Sequence, residues 1–233
     1  MAEPLVMLPG MMCDARLFQP QIDVFGSCYR YEVIIPPLYG ADRIADLVQE
    51  LLLVLPQRFA LAGLSMGGII AMEMMRQAPD QITRLALMDT NPFAETDERQ
   101  SLRESQIAKV RAGGLKSVIR DEMKPHYLAQ TENRQKILDL CMDMALDLGD
   151  EVFVQQSRML ASRMDQSETL AKITVPTLIL FGAEDQLCPP ERHHAMADLI
   201  AGAKLVKIDN AGHLPCLEQP QETTTALQRW LEA

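Results

Sequence analysis

Phe59-Ala60-Leu61-Ala62-Gly63-Leu64-Ser65-Met66-Gly67-Gly68-Ile69-Ile70-Ala71-Met72 is the stretch that decides the fold. The apolar run before Gly63 fits a buried strand. From Met66 to Gln77 apolar residues recur almost all round, as they do in a buried helix. Between the two, the chain must turn within a few residues. Gly63 and Gly67 flank Ser65 and let neighbouring backbones approach closely, and Gly68 removes a further side chain. A serine on so tight a strand–turn–helix junction is strained and exposed at the end of its strand. The N-terminus of the helix turns its free N–H groups toward any negative charge that develops there. A phosphate-binding loop would need a lysine or a Gly-x-Gly-x-x-Gly spacing, and this stretch has neither. Ser65 is the expected nucleophile.

Working outward, strands are predicted at Leu5–Leu8, Tyr31–Ile35, Arg58–Ala62, Ile82–Met88, Thr177–Phe181 and Lys204–Ile208. Helices are predicted at Asp42–Leu55, with Asp42 as N-cap, and at Met66–Gln77, Pro189–Ile200 and Pro220–Leu231. The strand signal disappears from Pro92 to Lys172. Helices are expected there at Asp97–Ala112, Leu115–Met123, Glu132–Leu148 and Asp150–Ser162. The class is α/β: a mostly parallel, doubly wound sheet of about six strands, covered on both faces. Residues 1–91 and 173–233 form the expected core. Residues 92–172 form an expected helical cap over the carboxyl ends of the strands, where open α/β sheets bind ligands.

Serine needs a base, and the chain has four histidines. His213 lies in the loop Asp209-Asn210-Ala211-Gly212-His213-Leu214-Pro215 after the last strand, at the sheet edge that carries Ser65. His193 and His194 fall inside a helix and read as exposed surface residues. His126 sits in the insertion, where at most it lines a pocket. Asp185, after the fifth strand, is the expected acid that orients the histidine. Glu184 is its neighbour, Asp89 is a second candidate position, and Asp209 reads as a loop cap. The oxyanion hole requires two backbone donors. Met66 N–H, directly after the nucleophile, is one. Met11 N–H is the other, with Met12 as the alternative, on a loop that Gly10 lets approach.

Composition narrows the partners. The chain has 233 residues and a formal net charge of −10, which argues against nucleic acid and anionic membrane surfaces. No apolar run reaches the length of a membrane span, and the N-terminal one is too short for a secretory leader. Cys13, Cys28, Cys141, Cys188 and Cys216 have no metal-ligand spacing and read as reduced thiols of a cytoplasmic protein. A small acyl substrate, with no metal and no cofactor, is the expectation.

Leu8-Pro9-Gly10, Gly63-Leu64-Ser65-Met66-Gly67-Gly68, Gly182-Ala183-Glu184-Asp185 and Ala211-Gly212-His213-Leu214-Pro215 together resemble the α/β-hydrolase superfamily. The resemblance spans nearly the whole chain, in the order Ser65, Asp185, His213 that the superfamily uses. Within the superfamily the chain looks like small esterases, enol-lactonases and related hydrolases with a helical cap. Pro9-Gly10 stands where many relatives have His-Gly, and only four residues precede the first core strand, which implies a smaller sheet. Dehalogenases and epoxide hydrolases of this fold use aspartate where this chain has Ser65, so the resemblance implies acyl chemistry.

Carboxylic esters, thioesters and lactones all remain open. So do a lyase or carbon–carbon hydrolase with the same triad, and a ligand receptor with vestigial activity. Met123, Met142, Met144, Met159 and Met164 in the insertion fit ordinary packing better than a flexible pocket. Arg158 and Arg163 could bind a substrate carboxylate, against the commoner reading of exposed arginines.

Overall fold

The computed structural model describes residues 3–27 and 31–233. Strands β1 (Glu3–Leu8), β2 (Tyr31–Ile34), β3 (Phe59–Leu64), β4 (Ile82–Met88), β5 (Thr177–Gly182) and β6 (Lys204–Ile208) form one six-stranded sheet. Their order is β2-β1-β3-β4-β5-β6, and every pairing among them is parallel. Parallel strands need crossovers, and helices supply them. The order reverses between β1 and β3, so the crevice at their carboxyl ends is the topological switch point. Ser65 follows β3 and Met11 follows β1, which places both at that crevice.

Alternation along the strands splits the core into two layers. Val6, Leu8, Leu61, Leu85, Leu87 and Ile179 face one side. They pack with α2 (Ile44–Val54), α3 (Met66–Gln77) and residues of α8 (Pro190–Leu199). Leu5, Met7, Ala60, Ala62, Ala86, Met88, Leu178 and Leu180 face the other side. They pack with α1 (Gln19–Ser27) and α10 (Pro220–Leu231). Between β4 and β5 lie α4 (Asp97–Lys109), α5 (Leu115–Val118), α6 (Arg134–Ala161) and α7 (Ser167–Leu170). Ile107, Val110, Leu115, Val118, Ile119 and Phe153 form a separate buried cluster there, which reaches Met12 of the loop after β1.

The helices expected at Glu132–Leu148 and Asp150–Ser162 are the two segments of α6, which break where expected, at Gly149, whose φ of 82° and ψ of −180° are not helical. Other expectations need correction. Asp42 does not cap α2: Arg43 occupies the N-cap position without a side-chain bond. Asp42 instead pairs with Arg158 at 2.8 Å. The sequence pattern does not reveal helix α1, because Pro20 and Gly26 interrupt it. Pro20 is tolerated in the first turn, where its missing N–H has no partner to lose, and Asp14 caps the preceding turn by accepting from Arg16 N at 2.9 Å. The described cysteines, Cys13, Cys141, Cys188 and Cys216, are free and buried. Cys28 lies outside the described residues.

Candidate active site

Ser65 has φ 80° and ψ −106°, a backbone conformation that costs a non-glycine residue about 1–3 kcal/mol. Its neighbours impose it. Ser65 N–H donates to Met88 O at 2.9 Å, and the Thr90 hydroxyl donates to Ser65 O at 2.7 Å. At Gly63 a Cβ would lie 2.3 Å from Gly67 O, so the turn closes only around glycine.

Ser65 Oγ lies 2.9 Å from His213 Nε2, and His213 Nδ1 lies 2.8 Å from Asp185 Oδ2. The structure therefore brings together the three residues singled out in the sequence. Asp185 is buried, and its Oδ1 accepts from Leu187 N at 2.8 Å and Cys188 N at 3.0 Å. Burial alone would raise its pKa. The charge and hydrogen bond of His213, with the two amides, outweigh burial and hold the carboxyl below its ordinary value.

Met66 opens α3, so its N–H has no intrahelical acceptor. Met12 N–H donates to Gln156 Oε1 at 2.8 Å. Of the two candidate amides after β1, that leaves Met11 N–H without a partner among the described residues. Gln156 is buried in α6 and also donates to Leu38 O at 3.0 Å. It holds the loop after β1 from the far side. Nothing in its sequence context marked it, because a lone glutamine in an amphipathic helix reads as surface.

Glu218, in α9 (Pro215–Glu218), is a second residue the sequence did not reveal. Its carboxylate accepts from Gly212 N at 2.9 Å, Leu214 N at 3.1 Å and Ala129 N at 2.8 Å. His213 N–H donates to Tyr127 O at 2.7 Å. The histidine loop is thus fixed on both sides of the ring it carries. A glutamate five residues after the histidine was the only available signal.

Asp89 does not contact His213. It is fully buried with φ 45°, and its Oδ1 accepts from Gly182 N at 2.9 Å. Burial first, and the charge of Asp185 second, push its carboxyl well up. Its Oδ2 has no partner among the described residues. An asparagine in its place would be a neutral isostere, relieved of the repulsion from Asp185, and would keep the positive φ, which that residue type tolerates. Asp89→Asn is therefore expected to keep kcat/KM within about threefold, whereas Asp185→Asn is expected to lower kcat about 10⁴-fold by setting the wrong histidine tautomer. Ester assays of the two variants, side by side, check which carboxylate serves His213; equal losses would contradict the assignment.

His193 is not exposed, as the helix pattern suggested, but fully buried, with its ring stacked 4.7 Å from Phe181. His194 is exposed, and His126 lies at the rim of the cavity over Ser65. Burial pushes His193 down to about 4 from 6.5, so the folded state holds it neutral. Below pH 6.5 the unfolded chain takes up a proton that the fold refuses. Stability is expected to fall by about 3 kcal/mol between pH 6.5 and pH 4 from this group, with the rest of the loss coming from other titrations. Denaturant titrations across that range check it, and His193→Leu should flatten the slope.

Asp89, Asp185 and His193 place ligand-type atoms within 4.8 Å of one another, as do Asp185, Cys188 and His213. Both groups depend on Asp185, whose two oxygens are already taken by two amides and His213. Burial keeps the Cys188 thiol protonated. The donor set does not fit a cation.

A cavity of about 420 Å³ opens over Ser65 and His213, within the size range of small-molecule sites. Of the five insertion methionines only Met123 lines it. Met144 and Met159 are core residues, Met142 packs partly buried and Met164 is exposed. Arg163 lines the cavity and Arg158 does not.

A six-stranded parallel sheet with a serine on a strained strand–helix turn, a histidine and a buried carboxylate defines the α/β-hydrolase class. The chain belongs to the alpha/beta hydrolase family, which it matches over residues 5–226. It is 25% identical to a pimeloyl-[acyl-carrier protein] methyl ester esterase of Legionella pneumophila (strain Corby), covering 98% of this chain and 95% of that protein. Among solved structures it is similar to a thermophilic esterase from Thermogutta terrifontis, studied with malate bound. That match has 27% identity, covers 99% of this chain and 90% of the other, and has a TM-score of 0.90. The enol-lactonase of Burkholderia xenovorans LB400 shares the fold at 21% identity, with a TM-score of 0.88 and coverage of 100% and 92%.

Proposed function

We propose that this chain hydrolyses small carboxylic esters through an acyl-enzyme on Ser65. The observation that carries the reading is the Ser65–His213–Asp185 chain, at 2.9 Å and 2.8 Å, opening onto the cavity. His213 takes the Ser65 proton as Oγ attacks the carbonyl carbon. The Met11 and Met66 amides receive the oxyanion, and His213 then protonates the departing alcohol. Water, deprotonated by the same ring, attacks the acyl-enzyme and frees the acid and Ser65. Helices α4 to α7 act as a cap that encloses the acyl chain. The relatives named as esterases support ester substrates over thioesters and lactones.

A fluorophosphonate probe is expected to label Ser65, and rapid quenching with a short-chain nitrophenyl ester should trap a Ser65 acyl adduct by mass spectrometry. Folded protein that turns over esters without such an adduct would overturn the mechanism.

A further inference from the structure

The chain has a net charge of −10, yet four arginines line the cavity over Ser65: Arg99, Arg103, Arg163 and Arg192. Two glutamates line it as well. Glu122 is engaged by Lys109 at 2.7 Å. Glu95, with its side chain 3% exposed, faces the arginines. Its oxygens lie 3.0 and 3.1 Å from the two terminal nitrogens of Arg163, whose Nε donates to Phe93 O at 2.9 Å. All three nitrogens of Arg163 therefore have a partner in the protein.

Arg103 and Arg192 are less fully engaged. Arg103 gives Nε to Glu95 at 2.7 Å, and its Nη1 meets only Met11 Sδ at 3.8 Å. Arg192 gives Nη1 to Asn91 Oδ1 at 3.0 Å and lies 5.7 Å from the centre of the Phe93 ring, both neutral neighbours. Their remaining N–H groups have no partner among the described residues. Two guanidiniums share the Glu95 carboxylate, and Arg192 adds a third positive charge near Arg163, which leaves positive charge in a part-buried site that is costly unless an anion completes it. Burial, then repulsion from Arg103 and Arg192, holds Arg163 below its ordinary value despite Glu95. The guanidinium fork matches a carboxylate in two parallel hydrogen bonds. Arg103 touches Met11, the residue whose amide faces the reacting carbonyl, so an anion held there belongs to the substrate itself.

We propose that the substrate is an ester bearing a free carboxylate, such as a half-ester of a dicarboxylic acid, and that Arg103 and Arg192 bind that carboxylate. This rests on the esterase reading. Hydrolysis adds water across the ester bond and yields the dicarboxylic acid and the alcohol. Arg192 sets specificity without touching the reacting atoms.

The test compares monomethyl adipate with dimethyl adipate by methanol release, in wild type, Arg103→Met, Arg192→Met and Arg192→Lys. Wild type is expected to favour the half-ester about tenfold to a hundredfold in kcat/KM, mostly through KM. Either methionine variant should lower that ratio toward one, and Arg192→Lys should recover part of it. Calorimetry on Ser65→Ala adds a readout independent of turnover: adipate binds and adipamide does not. No preference in wild type, or a ratio unmoved by both methionine variants, overturns the proposal. So does preference for a neutral acyl group on phosphopantetheine, which would assign the arginines to phosphate. Should a methionine variant fail to fold, the wild-type ratio and the adipate titration still decide. If wild type hydrolyses no ester, the esterase reading falls, while adipate binding to Ser65→Ala continues to judge the carboxylate site separately.

Discussion

Ser65→Ala is expected to lower kcat for ester hydrolysis by about 10⁴–10⁶-fold and to abolish fluorophosphonate labelling. The loss is large because Ser65 Oγ is the group that His213 Nε2 contacts, at 2.9 Å, and no other described side chain stands in that position. His213→Ala should cost about as much, and the double variant little more, since the residues act as one unit. The fold should tolerate the change. Alanine keeps the Cβ and the strained φ of 80°, and the bonds from Ser65 N to Met88 O and from Thr90 Oγ1 to Ser65 O involve the backbone of residue 65. Unfolding free energies of the variant and wild type should agree within about 1 kcal/mol. Residual turnover above a tenth of wild type, in protein free of contamination, would remove Ser65 from the mechanism.

Gly67→Ala is expected to be among the most damaging single-methyl changes near the site. A Cβ at residue 67 would lie 2.0 Å from Leu8 O, 2.6 Å from Leu8 C and 2.8 Å from Pro9 O. All three are backbone atoms, so no rotamer change relieves the clash. Either α3 moves away from β1, or the loop that carries Met11 moves away from Ser65. Ordinary overpacking costs about 1–3 kcal/mol, and a backbone collision belongs at or above the top of that range. Gly10→Ala is a graded control. Its Cβ would meet the flexible Leu64 Cδ2 at 3.3 Å, and a few tenths of an ångström suffice. Chemical denaturation and ester kinetics of both variants check this: Gly67→Ala should lose stability and activity together, Gly10→Ala only part of its activity.

Much of this was legible because one physical constraint acts locally. Strand β4 and helices α3 and α10 matched their predicted bounds, since apolar periodicity and flanking Pro or Asp mark where burial begins and ends. Ser65, His213 and Asp185 were visible because each follows a strand, at the edge where a parallel sheet gathers loops. Glu218, Gln156 and Asp89 were harder. Their roles depend on which backbone amide or carboxylate lies opposite after folding, a distance of 144 residues for Gln156 and Met12. His193 misled for the related reason that its burial against Phe181 is set by the neighbouring strand, not by its own helix. Arg158 and Arg163 were ambiguous in the sequence, and Arg103 and Arg192 drew no notice there, because charge alone does not say which guanidinium reaches the cavity or already has a partner.

Gln156 has one more implication. Its amide joins Met12 N and Leu38 O, so a helix of the proposed cap also braces the loop beside the nucleophile. The helical segment between β4 and β5 and the loop after β1 are therefore tied together through one side chain. Diversification of the helical segment is constrained at residue 156 even where its pocket-facing positions are free to drift. A graft exchanging these helices between relatives inherits a working hydrolase only if it brings its own brace along.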